Sequence, residues 1–156
     1  MDSTPEREAP ELPPAGLLRR LGAMTYDTLL TAALLILAMM LVVTVLGVVQ
    51  GWDRIDTAGL REHPLYILYL CAVPFCFFVG FWKLAGETLG MRAWRLRIVD
   101  GNGKRPSWRG ATVRFLGALL SLAPFGLGFL WILVDPEGLA WHDRLSGTRL
   151  VVTPRD

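Results

Sequence analysis

Between Leu29 and Val49 the chain runs 21 residues without a charge, and no other feature restricts its fold so strongly. As a helix rising 1.5 Å per residue this run reaches about 31 Å, matching the ~30 Å hydrocarbon core of a bilayer. A helix satisfies all its backbone polar groups internally, so it is the form in which such a run crosses lipid. A helix start near Leu17 places Arg19 and Arg20 at the mouth of the span, and Asp27 about one turn before the uninterrupted run. A second uncharged block of 18 residues extends from Leu65 to Trp82. It opens on His63-Pro64, which suits a helix start, and it ends at Lys83. Pro74 predicts a kink in it. Tyr66, Tyr69 and Trp82 stand toward its ends, where amphipathic rings favour the headgroup level.

Composition agrees with a membrane location. The chain is 53% hydrophobic and 19% charged, short of the roughly 25% charged residues of soluble domains. Its 156 residues suit one domain. A net charge of +2 is too small to point to nucleic acid. Cys71 and Cys76, roughly 140° apart around a helix, are not expected to pair, and with no further ligands nearby they read as small buried hydrophobes. Residues 1–16 carry four prolines among four acids and read as a disordered tail, followed by a membrane domain over 17–153 and a short tail at 154–156. The acidic start is unlike a secretory signal, so the first span is expected to act as its own uncleaved signal.

Residues 83–114 hold eight basic side chains against two acidic ones, whereas residues 51–64, a short polar loop, hold two against three. The positive-inside rule therefore predicts a cytoplasmic N-terminus, an external loop around Trp52 and a cytoplasmic 83–114 segment. Within that segment Trp94-Arg95-Leu96-Arg97-Ile98-Val99 alternates and stops at Asp100-Gly101-Asn102-Gly103, which predicts a strand and a tight turn. Its expected partner is the β-branched stretch from Thr148 to Thr153. The third apolar block, Ala111 to Val134, is interrupted by Pro124-Phe125-Gly126-Leu127-Gly128. It is read either as a re-entrant hairpin or as a third span, and pairing of the two strands requires the hairpin. The fold class expected is thus an all-α membrane protein with two transmembrane helices, a broken third segment and a small cytoplasmic two-stranded β element.

An acid at the edge of a span is costly unless it finds protein or water. Asp27 is such an acid, and Arg20, two turns earlier, shares its face of the helix. The two are too far apart for direct contact, so Asp27 is expected to meet a basic residue from another segment, with Arg114 first and Arg92 and Arg144 behind it. The pair either locks helices in register or forms a site for an ion, a proton or a small solute. Gly86-Glu87-Thr88-Leu89-Gly90 and Trp141-His142-Asp143-Arg144 fit both accounts. His142 beside Asp143 offers a proton relay, against a solvated loop histidine as the plain alternative.

Four pieces in order, Arg20 ahead of a helix containing Asp27, Gly86-Glu87-Thr88-Leu89-Gly90-Met91-Arg92, Leu96-Arg97-Ile98-Val99-Asp100, and Leu139-Ala140-Trp141-His142-Asp143-Arg144-Leu145-Ser146-Gly147-Thr148, strongly resemble the RDD family of bacterial membrane proteins. The resemblance covers about residues 17–152. The family is named for one Arg and two Asp residues, which fall on Arg20, Asp27 and Asp143, with Asp135 as the rival for the last place. The resemblance implies an inner-membrane protein with a part in transport, such as cations in exchange for protons; the alternative is a non-transporting scaffold. Two or three spans are few for a transport path, so a homo-oligomer or a partner membrane protein is expected in addition to the bilayer. With no nucleophile and base, phosphate loop or metal cluster, neither an enzyme nor a cofactor is expected.

Overall fold

The computed structural model describes residues 12–154. The chain begins with α1 (Leu17–Gln50), 34 residues and therefore about 51 Å long. A 3-10 turn (Trp52–Arg54) and α2 (Thr57–Glu62) then lead to α3 (Pro64–Leu84). The stretch read as a polar loop thus carries helix, because Asp56 caps α2 by accepting from the amides of Ala58 and Gly59. Pro64 occupies the first turn of α3, which then continues through Pro74. α1 and α3 are both long and apolar enough to cross a membrane.

After α3 come α4 (Leu89–Ala93) and β1 (Leu96–Asp100), then α5 (Trp108–Leu122), α6 (Leu127–Leu130), a 3-10 turn (Trp131–Leu133), α7 (Trp141–Ser146) and β2 (Thr148–Val152). The strands pair antiparallel from Leu96 opposite Val152 to Asp100 opposite Thr148. Leu96, Ile98 and Leu150 face the core with Val79, Trp82 and Ala111. The Asp100 carboxylate shapes the turn by accepting from the amides of Asn102 and Lys104.

The third apolar block is bent by 109° between α5 and the 127–133 segment. Phe125 and Gly126 both have positive φ at the break, 53° and 79°, and glycine takes that backbone without a Cβ penalty. Gly128 then lies so close to Ser121 that an added Cβ would stand 2.6 Å from the serine Cβ. β1 precedes this block and β2 follows it, yet the two strands are hydrogen-bonded, so both ends of the block lie on one side of the molecule.

Two further expectations change. Residues 1–11 of the expected disordered tail lie outside the described residues, whereas 13–15 are ordered against β2: Ala15 donates to the Leu150 carbonyl and Val152 to that of Pro13. Cys71 and Cys76 are free but exposed rather than buried. α3 is apolar all round while α1 and α5 cover only part of it, so its remaining face is left uncovered by this chain.

Candidate functional site

Arg20 stands in the first turn of α1, where its face turns inward against the C-terminal segment, and it is buried. Its Nε donates to the Ala15 carbonyl at 2.9 Å, Nη2 to the Gly138 carbonyl at 3.1 Å, and Nη1 to Asp143 Oδ2 at 2.7 Å. Asp143 sits in the first turn of α7, and its Oδ2 also accepts the amide of Ala140 at 2.9 Å, the contact expected of an acid three residues into a helix. From the other side Arg114 of α5 brings Nη1 to 2.6 Å from Asp143 Oδ1 and donates to Thr148 Oγ1 at 2.7 Å. One buried carboxylate therefore ties together α1, α5 and α7. Burial pushes the Asp143 carboxyl up, but Arg114 and Arg20 outweigh it and hold the group well below the usual carboxylate range.

Asp27 does not meet a basic residue. Its Oδ2 accepts from Thr88 Oγ1 at 2.5 Å and its Oδ1 from the amide of Gly90 at 2.9 Å. Thr88 caps α4, accepting from the amide of Met91. Gly90 is needed for this approach: a Cβ there would lie 2.5 Å from the Ala23 carbonyl and 2.7 Å from Asp27 Oδ1. The expected Asp27–Arg114 pair is thus replaced by two separate arrangements, because a glycine-lined turn supplies an amide and a hydroxyl in place of a cation. Arg92 lies elsewhere, exposed and bonded to Glu87 at 3.0 Å. Arg144 is half-exposed and pairs with Asp135 at 2.5 Å. Asp135 is held low first by the Leu139 amide and then by Arg144. Of the two rivals, Asp143 and not Asp135 joins Arg20.

His142 is buried rather than solvated. Its Nδ1 lies 3.4 Å from Ser121 Oγ and its Nε2 3.8 Å from Asp143 Oδ1, with Phe129 packed on the ring. Burial, aided by the Arg114 charge, lowers its pKa to about 3, so the ring is neutral near pH 7. A neutral, non-titrating imidazole is a poor relay under those conditions.

These groups border a chamber of about 390 Å³. α3 packs against both α1 and α5, and the chamber is lined by residues of all three helices. Arg20, Asp27, Arg114 and His142 line it, along with apolar side chains including Leu35, Phe115 and Leu122. Trp82, read as an interfacial ring, is instead buried with the Arg114 guanidinium 5.6 Å from its ring centroid. Neither Trp82 nor Thr148 was read as a site residue in the sequence, because each reaches Arg114 only across the fold. No group of His, Cys, Asp and Glu suited to a metal occurs among the described residues.

The family model for the RDD family matches residues 14–147, an interval containing Arg20, Asp27 and Asp143. An uncharacterized protein of Rickettsia prowazekii (strain Madrid E) is 33% identical over 86 residues, 54% of this chain and 45% of that protein. The chain thus spans under half the length of that relative. No solved structure matches it significantly. With a match over nearly its whole length and two helices apolar enough to cross a bilayer, the chain belongs to the RDD family and is a membrane protein.

Proposed function

We propose that this is a multi-pass protein of a bacterial inner membrane that binds a small solute in the chamber between α1, α3 and α5, as a component of transport. The observation that carries the reading is the chamber itself: about 390 Å³ of space, near the lower end of the ~300–1,000 Å³ range of ligand sites, with apolar walls and a few charged groups. Leu119 and Leu122 on its lining are half-exposed and apolar, so on this reading a solute reaches it from within the bilayer. The N-terminus and the 83–114 segment lie in the cytoplasm and the Trp52 loop outside, supported by eight basic residues in 83–114 against two in 51–64. The bent block then re-enters, bringing β2 to the side of β1.

Proteoliposomes test this. With sodium, potassium, protons, and labelled organic acids and amines of increasing chain length, the native chain moves at least one solute and the chamber-filled Ala118→Trp does not. A scaffold role is favoured by a different observation, that both buried acids are already engaged by protein donors. If the native chain moves none of these solutes and a membrane partner copurifies with it, the scaffold reading replaces ours. Orientation is read by labelling cysteines at residues 54 and 104 from outside intact cells: 54 reacts and 104 does not.

A further inference from the structure

The chamber's polar groups differ in what protein bonds leave over. Arg20 uses all three of its nitrogens on the Ala15 and Gly138 carbonyls and on Asp143. Asp27 turns both oxygens onto α4. Three groups on the lining are different. The Trp82 indole N–H is buried without a hydrogen-bond partner, and so is Thr31 Oγ1 on the same chamber wall as Asp27. Arg114, also buried, engages only Nη1 with protein, leaving the N–H groups on Nε and Nη2.

An indole and a guanidinium can only donate, and a hydroxyl can do either. A buried donor left without an acceptor costs about 1–3 kcal/mol. The unmet need here is for an acceptor. Arg20 and Arg114 are balanced in number by Asp143 and Asp27, but both carboxylates are already turned onto protein donors, so the groups left over for a ligand are the donors. The remaining walls are apolar, among them Phe115, Leu119, Leu122 and Phe129, and Leu119 and Leu122 are half-exposed, which marks where the chamber meets the outside.

From these observations we infer that the chamber takes a single-chain anionic amphiphile. Its carboxylate or phosphate head accepts from Trp82 Nε1 and the free Arg114 N–H groups, and its chain lies along α5 and α6. The volume suits one chain rather than two. The inference rests on the reading that the chamber is a binding site, and it names the chemistry of what binds there.

Purified full-length protein in a non-ionic detergent, titrated with dodecanoate and dodecyl phosphate and followed by thermal stability and calorimetry, provides the test. Dodecanol, dodecyltrimethylammonium, acetate, inorganic phosphate and two-chain phosphatidylglycerol are the comparison ligands. Dodecanoate and dodecyl phosphate bind and stabilise, and the comparison ligands bind at least tenfold more weakly. Trp82→Phe keeps a ring and removes the donor, weakening dodecanoate about ten- to a hundredfold, as expected for a hydrogen bond to a charged group. Ala118→Trp, which leaves Arg114, Asp143 and Trp82 in place, removes binding. If no compound binds, the chamber is not a ligand site and the functional proposal falls with the inference. If dodecanol or the ammonium compound binds as well as dodecanoate, or Trp82→Phe changes nothing while Ala118→Trp abolishes binding, the chamber stands and the anionic class is wrong. Preference for phosphatidylglycerol, or inorganic phosphate binding as tightly as dodecyl phosphate, overturns the single-chain amphiphile.

Discussion

Replacing Asp143 by Asn changes little in shape and removes the one charge that holds two buried arginines. Arg20 Nη1 at 2.7 Å and Arg114 Nη1 at 2.6 Å reach opposite oxygens of this carboxylate. An amide offers one oxygen to two guanidinium groups and turns an NH₂ donor toward the other, while the amide of Ala140 competes for the same oxygen. Removing one partner of a buried ion pair costs about 3–5 kcal/mol, chiefly through the charge left behind. Two cations remain here, so the upper part of that range applies. For a domain of this size such a loss lowers the unfolding midpoint by on the order of 10–20 °C. Heating in detergent followed by size-exclusion chromatography measures it, with Asp135→Asn as control. Asp135 is itself covered, but its Arg144 partner is half-exposed and an amide oxygen can still accept from the Leu139 N–H, so that change strands no buried cation and costs about 1 kcal/mol, the worth of a hydrogen bond. The combined Arg20→Met, Asp143→Leu, Arg114→Met variant recovers most of the stability, since a triad removed together leaves no stranded charge. If Asp143→Asn is no worse than Asp135→Asn, the three residues are not the clasp described here.

Gly90→Ala forces α4 away from the Ala23 carbonyl and costs about 1–3 kcal/mol, whereas Gly80→Ala, where an added Cβ meets nothing within 4 Å, does not destabilise; the same melting assay separates them. A double-mutant cycle on Arg20 and Asp143 shows coupling of about 0.5–3 kcal/mol, while Asp27→Asn with Arg114→Gln is additive within about 0.5 kcal/mol. The pH dependence of stability follows His142. Its folded pKa of about 3 lies below the ordinary 6.5, so between those values the unfolded chain binds more protons. The stability gained by keeping this ring neutral is complete above pH ~6.5 and is lost as pH falls toward 3, at up to about 1.4 kcal/mol per pH unit. Melting curves from pH 7 to 4 show that slope, and His142→Gln flattens it.

The elements were legible in the sequence wherever a single run of residues decides them. The uncharged run of α1, the Pro64 start of α3, the alternation around Leu96 and Ile98, and the Pro124-to-Gly128 break each act locally. The contacts of the site were not, because each joins segments far apart in sequence. A helical wheel puts Arg20 and Asp27 on one face, but the crossing of α4 over that face decides that Asp27 meets the amide of Gly90 and not a cation. The fold-back after Gly126 likewise brings Asp143 to Arg114 and leaves Arg144 outside with Asp135. Burial misled in both directions for the same reason. Trp82 faces α5 and is covered, while Cys71 and Cys76 lie on the uncovered side of α3.

The whole site depends on the bent block returning to the side it left, because only then can Asp143 reach Arg20 and Arg114. The pairing of β1 with β2 reports this directly. Arg97 stands opposite Val151, and opposed antiparallel residues have Cα atoms about 4.5–5.5 Å apart, within the span of a disulfide. Cysteines at these two positions, in a chain with Cys71→Ala and Cys76→Ala, are oxidised in native membranes and the products separated on a denaturing gel. A bond formed within one chain and reversed by reductant is the predicted result. If the block crossed instead, the two cysteines would lie on opposite sides of a ~30 Å hydrocarbon core. Absence of the intrachain bond, with the two cysteines labelled from opposite faces of the membrane, would contradict the account.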